Sequence, residues 1–284
     1  MQVPHWTQAE DQLLSLLECP RFGLISDFDG TLSPFAFHPD NAKIRPENAT
    51  LLDELASRLT VIALVSGRGA LNLRQRFERP YLVYYGNHGM ELWQEDGVKV
   101  AESAKMWSQQ LYTLLQEFNT DDLPGVVVEY KEVTASVHYR MATNPKVMSM
   151  IIRNRLTPLI EQHGLNLSEG SYVFEIKPPV ALNKGTAVEA IINQYHLDSV
   201  LFLGDDRTDI EAMHRMRQLA ADPLRDLRVL SVGVIHPTTL PELFDHCDVT
   251  ANGVEEVTDL LLWLRDHLRV PQTDNPISQK GPAS

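Results

Sequence analysis

The sequence predicts an α/β fold, in which a parallel sheet carries helices on both faces and is split by an inserted α+β module. Short apolar segments that suit buried strands alternate with amphipathic segments that suit helices in both halves of the chain. Several apolar segments also run directly into polar residues, as at Asp27, Ser66 and Asp205. Ligands bind beyond the carboxyl ends of parallel strands, so these residues mark the candidate site.

The N-terminal part of the chain alternates between helix and strand signals. A helix is predicted over 7–17, a strand over 22–25, and a further helix opening at Pro46 with Leu51, Leu52, Leu55 and Leu59 on one face. Strands follow at 61–65 and 81–85, separated by a helical pattern through Leu71, Leu73 and Phe77, and then a hairpin through 91–93 and 97–100.

The pattern changes after residue 101. A helix to Phe118, strands at 125–130 and 135–141, a helix at 145–163 and strands at 165–168 and 172–176 predict an α+β module. The alternation then returns with helices at 184–196, 208–220 and 254–268 and strands at 200–203 and 229–234. The predicted organisation is a core formed by 1–104 and 180–270, a module of 105–179, and a disordered tail of 271–284.

Composition restricts the function classes. The formal net charge of −13 disfavours nucleic acid and anionic membranes as partners. Cys19 and Cys247 show neither zinc-site nor disulfide spacing, which favours a reducing cytoplasm. The first residues lack a signal-peptide pattern, and no apolar run approaches the roughly 18 residues of a membrane helix. The expected partner is a small-molecule substrate, and a monomeric state is compatible with the sequence.

The stretch around Asp27 and Asp29 is the centre of the candidate site. The two carboxylates follow the first strand two residues apart, so their side chains can share one site, and Gly30 allows the backbone to turn. Paired carboxylates repel unless a cation lies between or beside them, which favours a hard divalent metal, most simply Mg²⁺. An Asp-rich turn that caps a helix is the alternative interpretation.

Other polar residues fall at corresponding positions. Ser66, Gly67 and Arg68 follow the second strand, Lys184 starts a helix, and Asp205, Asp206 and Asp209 follow the strand at 200–203. Together they fit phosphoryl transfer, with a carboxylate nucleophile, a metal, hydroxyl and amide donors, and a lysine. Taken singly, each has a structural interpretation: a strand-to-helix turn, a solvated lysine, or a helix N-terminus. A GxxxxGK[ST] motif is absent from the sequence, so a nucleoside triphosphate is not indicated.

The order of these motifs resembles that of haloacid dehalogenase (HAD)-type phosphatases, and most closely that of trehalose-6-phosphate phosphatases. The resemblance covers roughly residues 20 to 265. Its motifs are Asp27-Phe28-Asp29-Gly30-Thr31, Ser66-Gly67-Arg68, Lys184-Gly185 and Gly204-Asp205-Asp206-Arg207-Thr208-Asp209, supported by Gly86-Asn87-His88-Gly89-Met90-Glu91, Glu129-Tyr130-Lys131, Ser136-Val137-His138-Tyr139-Arg140 and Glu175-Ile176-Lys177-Pro178. It implies a HAD-type Rossmann-like core with an inserted cap domain.

The resemblance also implies roles. Asp27 is the expected nucleophile and Asp29 the acid and base. Mg²⁺ is expected on Asp27, the Asp29 carbonyl and Asp205, with Asp206 and Asp209 as near or indirect partners. The phosphoryl group is expected on Ser66, the Gly67 amide and Lys184, with Arg68 close by, and the sugar on Glu129, Lys131, Arg140 and Glu175, with His88 and His138 as further candidates. For the cap residues the alternatives are an exposed ion pair between Glu129 and Lys131 and a structural, half-buried His138.

One departure concerns the sugar. Many members of the family have Arg-Pro and an aromatic residue before the lysine motif, whereas this chain has Lys177-Pro178 and Leu182. Lysine lacks the bidentate fork of arginine, and leucine cannot stack on a sugar as tryptophan does. The expected activity is a phosphoric monoester hydrolase that releases trehalose from trehalose 6-phosphate. Alternatives are a phosphatase for glucosyl- or mannosyl-3-phosphoglycerate, a phosphosugar mutase, and a non-catalytic sugar-phosphate sensor.

Overall fold

The structure is a computed structural model that describes residues 3–36, 41–170, 172–237 and 239–269. The predicted tail lies outside the described residues. Its strands are β1 (Phe22–Ser26), β2 (Val61–Val65), β3 (Leu82–Gly86), β4 (Glu91–Gln94), β5 (Gly97–Val100), β6 (Val127–Tyr130), β7 (Ala135–His138), β8 (Asn166–Gly170), β9 (Val173–Lys177), β10 (Ser199–Gly204), β11 (Arg228–Ile235) and β12 (Val249–Asn252).

The helices alternate with the strands of the core and flank those of the module. They are α1 (Glu10–Leu17), α2 (Pro46–Leu55), α3 (Ala70–Arg76), α4 (Glu102–Lys105), α5 (Ser108–Glu117), α6 (Pro145–His163), α7 (Lys184–Gln194), α8 (Arg207–Ala220), α9 (Leu243–His246) and α10 (Gly253–His267). Within the described ranges, no helix is both long and apolar enough to cross a bilayer.

The strands form two sheets in the described part of the chain. The large sheet has the order β12-β11-β10-β1-β2-β3-β4-β5, parallel from β12 to β3 and antiparallel at β4 and β5. The small sheet is antiparallel, with the order β6-β7-β9-β8. Because the small sheet lies in the chain between β5 and β10, it interrupts the large one. This confirms the predicted fold class, and the exact domain boundaries stay predictions.

Strand β1 lies in the interior of the large sheet, and every one of its residues is buried. Two apolar cores cover the sheet. Leu24 packs in the core that includes Leu52 and Leu264, from α2 and α10, and Ile25 packs in the core that includes Val188 and Met213, from α7 and α8. Burying one such side chain contributes about 1.5–3 kcal/mol, so the two cores hold β1 and the segment after it in a fixed position.

Two predicted helices differ in the structure, and two further elements were not predicted. The helix predicted over 7–17 begins only at Glu10, after a 3-10 turn at Trp6–Gln8 whose amides are capped by the His5 side chain. The helix predicted to end at Phe118 is two helices, α4 and α5, with Met106 and Trp107 between them. Strand β12 and the short α9 were not predicted, because each is only four residues long and carries little periodicity.

Candidate active site

The carboxyl ends of three neighbouring strands form the site. β1 pairs in parallel with β10 on one side and with β2 on the other. The residues that follow these strands are Asp27, Asp205 and Ser66. Parallel neighbours end at the same edge of a sheet, so side chains more than 170 positions apart along the chain meet there.

Three buried carboxylates lie together at this edge. One oxygen from each of Asp27, Asp205 and Asp209 lies within 4.8 Å of the other two. Burial raises the pKa of Asp27 to about 7. Burial, reinforced by Asp27 and Asp209, raises the pKa of Asp205 well above its usual range. Such a cluster is stable in the charged form only where cations compensate it.

Lys184 supplies one of these cations. Its ammonium lies 3.0 Å from Asp27 Oδ1 and 2.7 Å from Asp209 Oδ1, and the residue is only 1% exposed. The charges of Asp209 and Asp27 raise the pKa of Lys184 despite its burial. The alternative of a solvated first-turn lysine is therefore wrong.

Asp206 and Asp209 cap helix α8. Asp206 Oδ1 accepts from the Arg207 amide at 2.7 Å, and Asp209 Oδ2 accepts from the amides of Asp205 and Asp206 at 3.0 Å each. Since Asp209 Oδ1 accepts from Lys184, both oxygens of Asp209 already have partners from the chain itself. The helix-terminus interpretation thus describes both residues, and Asp209 additionally orients Lys184.

The remaining oxygens fit a divalent cation. Asp27 Oδ1 is buried and, although close to Lys184, receives no aligned hydrogen bond from the described residues. Among the described residues, Asp205 Oδ1 accepts a single, long bond of 3.2 Å from Thr31. A Cβ at Gly30 would lie 2.4 Å from Asp205 Oδ2, so only glycine leaves the carboxylate its place. Under-coordinated carboxylate oxygens in a polar cleft are the donors that Mg²⁺ prefers.

Asp29 is not part of this cluster and pairs with Arg68. The Arg68 guanidinium donates to both carboxylate oxygens, at 2.5 and 2.7 Å, and its side chain is 11% exposed. The structure therefore brings Arg68 to the expected acid and base, where the resemblance had placed it near the phosphoryl group.

The cap side of the site centres on Glu175. Ser136 donates to Glu175 Oε1 at 2.7 Å, and the ammonium of Lys131 lies 3.5 Å from Oε2. Although burial opposes it, the charge of Lys131 holds the pKa of Glu175 below its usual range. Lys131 also donates to the carbonyl of Gly67 at 2.9 Å. It is buried at the boundary with the core, so it is not half of an exposed ion pair with Glu129.

His88 and the pair of Glu129 with His138 complete the polar surface. His138 Nε2 lies 3.2 Å from Glu129 Oε2, so this histidine has a carboxylate partner. His88 is buried, and neither ring nitrogen has a hydrogen-bond partner among the described residues. Burial lowers the pKa of His88 to about 3, which keeps its ring neutral.

One cavity of about 1220 Å³ joins these groups. Asp209 does not line it, because it lies behind Lys184. Every other predicted site residue does: Asp27, Asp29, Ser66, Gly67, Arg68, His88, Glu129, Lys131, His138, Arg140, Glu175, Lys184, Asp205 and Asp206.

Several cavity residues were missed by the sequence reasoning. His236, after β11, places Nε2 2.6 Å from the carbonyl of Gly30 and packs edge-on against Phe35. The Arg140 guanidinium lies over both Phe35, at 5.8 Å, and Tyr172, at 5.3 Å. The polar ending of β11 at the same sheet edge was the one signal that could have indicated His236.

The sheet order and its carboxylate-bearing edge define a HAD-like α/β fold with an inserted antiparallel sheet. The trehalose-phosphatase family model matches residues 25–238, and the chain belongs to this family. The resemblance seen in the motifs is therefore confirmed.

Curated relatives agree with the family match. A trehalose-phosphate phosphatase of Mycobacterium tuberculosis is 34% identical over 196 residues, which are 66% of this chain and 49% of the relative. One of Mycobacterium marinum is 31% identical over 224 residues, covering 73% of this chain and 56% of the relative. The chain thus spans about half the length of these relatives.

Solved structures share the fold. The C-terminal domain of a C. albicans trehalose-6-phosphate phosphatase superposes with a TM-score of 0.77 at 21% identity, covering 93% of this chain and 98% of that domain. A trehalose-6-phosphate phosphatase related protein superposes with a TM-score of 0.70 at 18% identity, covering 86% of this chain and 97% of the other.

Proposed function

We propose that this protein is a Mg²⁺-dependent phosphatase that hydrolyses trehalose 6-phosphate to trehalose and phosphate through an aspartyl-phosphate. The observation that carries the proposal is that one cavity joins the Asp27 and Lys184 cluster of the core to Glu129, Lys131 and Glu175 of the cap. The first set suits a phosphoryl group and the second suits sugar hydroxyls. The names of the curated relatives support the same substrate.

The core residues would have separate roles in the reaction. The carboxylate of Asp27 attacks phosphorus, and the bond from phosphorus to the sugar oxygen breaks while Asp29 gives that oxygen a proton. Asp29 then takes a proton from the water that attacks the aspartyl-phosphate, which releases phosphate and restores Asp27. Ser66, the Gly67 amide and Lys184 hold the phosphoryl group through both steps.

The proposed metal ligands are the carboxylates of Asp27 and Asp205 and the backbone carbonyl of Asp29. When bound, Mg²⁺ neutralises phosphate and carboxylate charge, so that two anions can approach each other. Asp206 and Asp209 would support the site indirectly, since they fix the start of α8 and, in the case of Asp209, Lys184.

The cap residues would recognise the sugar. Glu129 and Glu175 offer carboxylates, and Lys131 and Arg140 offer cationic donors, and all four line the same cavity as Asp27. His88 and His138 are proposed as further contacts. A monomeric, cytoplasmic enzyme that acts without a nucleic acid or membrane partner stays a prediction.

Phosphate release measured across a panel of phosphate esters tests the proposal. The panel contains trehalose 6-phosphate, glucose 6-phosphate, glucosyl- and mannosyl-3-phosphoglycerate, and p-nitrophenyl phosphate, with the Asp27→Asn variant as the blank. We expect the highest kcat/KM for trehalose 6-phosphate. A higher value for a glycosyl phosphoglycerate would overturn the sugar assignment, transfer of phosphate to a sugar hydroxyl would indicate a mutase, and inactivity on every ester would overturn the phosphatase assignment.

A further inference from the structure

A buried network of side chains joins the core to the cap beside the candidate site. It consists of Asn87 and Glu91 from the core and Thr134 and the carbonyl of Lys131 from the cap, and we call it the Asn87 network. Asn87 and Thr134 are 0% exposed and Glu91 is 6% exposed. None of these contacts was expected from the motif Gly86-Asn87-His88-Gly89-Met90-Glu91, of which the proposed function uses His88 alone.

The core half of the network holds the start of helix α3. Asn87 Nδ2 donates to Glu91 Oε1 at 2.5 Å, and Glu91 Oε2 accepts from the Ala70 amide at 2.7 Å. The backbone amide of Asn87 donates to the carbonyl of Arg68 at 2.7 Å. Asn87 is therefore fixed to both ends of the segment between Arg68 and Ala70.

The cap half of the network holds the turn between β6 and β7. Thr134 Oγ1 donates to Asn87 Oδ1 at 2.6 Å, and Asn87 Nδ2 donates to the carbonyl of Lys131 at 3.0 Å. One amide side chain thus serves two partners in the cap and one in the core. Asparagine is suited to the position, since its φ of 46° lies in the left-handed region that asparagine adopts more readily than most residues.

The same turn meets the loop expected to hold the phosphoryl group. The carbonyls of Ser66, Gly67 and Arg68 accept, in order, from the amide of His88, the ammonium of Lys131 and the amide of Asn87. Three successive carbonyls of this loop are therefore bonded to the Asn87 segment and to the cap turn.

We propose that Asn87 is a positioning residue that fixes the β6–β7 turn against the Ser66–Arg68 loop, so that the sugar site stays in register with the phosphoryl site. The inference rests on the proposed function for its kinetic part only. A buried network with every partner present favours one arrangement, because any shift leaves donors or acceptors unpaired.

Thr134→Val tests this proposal because it replaces the hydroxyl group of Thr134 with a methyl group of similar size. Valine keeps the shape of threonine but removes the donor to Asn87 Oδ1, whereas Thr134→Ser keeps the hydroxyl and is the matched control. We expect Thr134→Val to lower kcat/KM for trehalose 6-phosphate by roughly tenfold, mainly through KM, since the sugar contacts lose their register. Activity on p-nitrophenyl phosphate, which offers no sugar, should stay within about twofold of the original, and Thr134→Ser should behave as the unaltered protein.

Amide hydrogen exchange in residues 127–138 gives a readout that needs no activity. Thr134→Val and Asn87→Gly, in which glycine accepts the left-handed backbone, should both exchange faster than Thr134→Ser in this hairpin, and by more than any change in their global unfolding midpoints accounts for. Unchanged exchange in both variants, or an equal kinetic loss on both esters, would overturn the inference. If the unaltered protein does not hydrolyse trehalose 6-phosphate, the proposed function fails, and the exchange experiment still decides whether Asn87 fixes the turn.

Discussion

Arg68 holds Asp29 by two hydrogen bonds, Nε to Oδ2 at 2.5 Å and Nη2 to Oδ1 at 2.7 Å. This fork geometry fixes both the position and the plane of the carboxylate, which a lysine ammonium could not do. Arg68 follows β2 and Asp29 follows β1, so the pair spans two strand ends. The expected acid and base is thereby oriented by the neighbouring strand.

The first prediction concerns this pair. Arg68→Lys should lower kcat for the preferred sugar phosphate, and Arg68→Ala should lower it further, by about 10–100-fold, because Asp29 loses its orientation. Neither loss should exceed that of Asp29→Asn, for which general acid–base catalysis suggests about 10²–10⁴-fold. Arg74→Ala is the control, since Arg74 lies over the Trp93 ring outside the cavity. A wild-type kcat in Arg68→Ala would contradict the role.

The second prediction concerns the nucleophile. Asp27→Asn should abolish turnover, because an amide neither attacks phosphorus nor replaces the charge that Asp27 brings to a cation. The lost charge also relieves repulsion among three buried carboxylates, so the variant should unfold at no lower a temperature than the original. Steady-state phosphate release and thermal unfolding check the two parts, and retention of a substantial rate would remove Asp27 from this role.

The third prediction concerns the metal. EDTA followed by dialysis should stop phosphate release, and Mg²⁺ should restore it, because Asp27 and a dianionic phosphate repel each other without a cation. Ca²⁺ should inhibit, since its larger and more flexible coordination lets Asp27 bind through both oxygens. Full activity after EDTA treatment, or equal rates with Ca²⁺ and Mg²⁺, would speak against the proposed site.

The fourth prediction separates recognition from chemistry. Glu129→Ala should lower kcat/KM for trehalose 6-phosphate by roughly 10–100-fold while p-nitrophenyl phosphate is hydrolysed at nearly the original rate, because only the first ester has hydroxyls for Glu129 to bind. Glu175→Ala should show the same bias, with an added loss of stability, since it leaves Lys131 buried without its carboxylate. Glu161→Ala, on the exposed face of α6, is the control. Equal losses on both esters would assign these residues to the fold.

The fifth prediction is a pH dependence of stability. The pKa of His88 is lowered from 6.5 to about 3 by burial, so below pH 6.5 the unfolded chain binds a proton that the folded chain does not. The contribution of His88 to the free energy of unfolding should therefore fall as the pH drops, by about 1.4 kcal/mol between about pH 7.5 and about pH 5.5, whereas the raised pKa values of Asp27 and Asp205 act in the opposite direction. His88→Asn, which accepts the left-handed backbone, should lose this part of the slope in urea unfolding. Parallel pH profiles for the two proteins would contradict it.

Much of the fold could be predicted because its signals are local. The strand at Val61–Val65 is a continuous apolar run bounded by polar residues, and α6 starts at a proline and ends before a glycine, so their bounds follow from the sequence. Strand β12 was missed because it has only four residues, too few to show a periodic pattern, and its pairing with β11 depends on tertiary contacts.

The sequence could predict which residues line the site, but not which of them pair with one another. Apart from Asp209, the predicted residues line the cavity: those of the core follow a strand or start a helix, and those of the cap lie in or shortly after its strands. The motifs could not indicate that Arg68 binds Asp29, that Lys131 reaches Gly67, or that both oxygens of Asp209 are used by the chain itself. Those pairings depend on side-chain directions and on how the cap turn meets the core, which local patterns do not contain.

The place of β1 between β2 and β10 has a consequence for biosynthesis. β2 is made soon after β1, but the partner of Phe22 on the other side is Ser199, more than 170 residues further along the chain. At synthesis rates of about 5–20 residues per second, one edge of this apolar strand has no partner for roughly 10–35 s while the cap and α7 are still being made. During this time the unpaired edge of β1 in the nascent chain can pair with strands of other chains. Slowing translation ahead of β10 should therefore raise aggregation more than the same pause placed after β10.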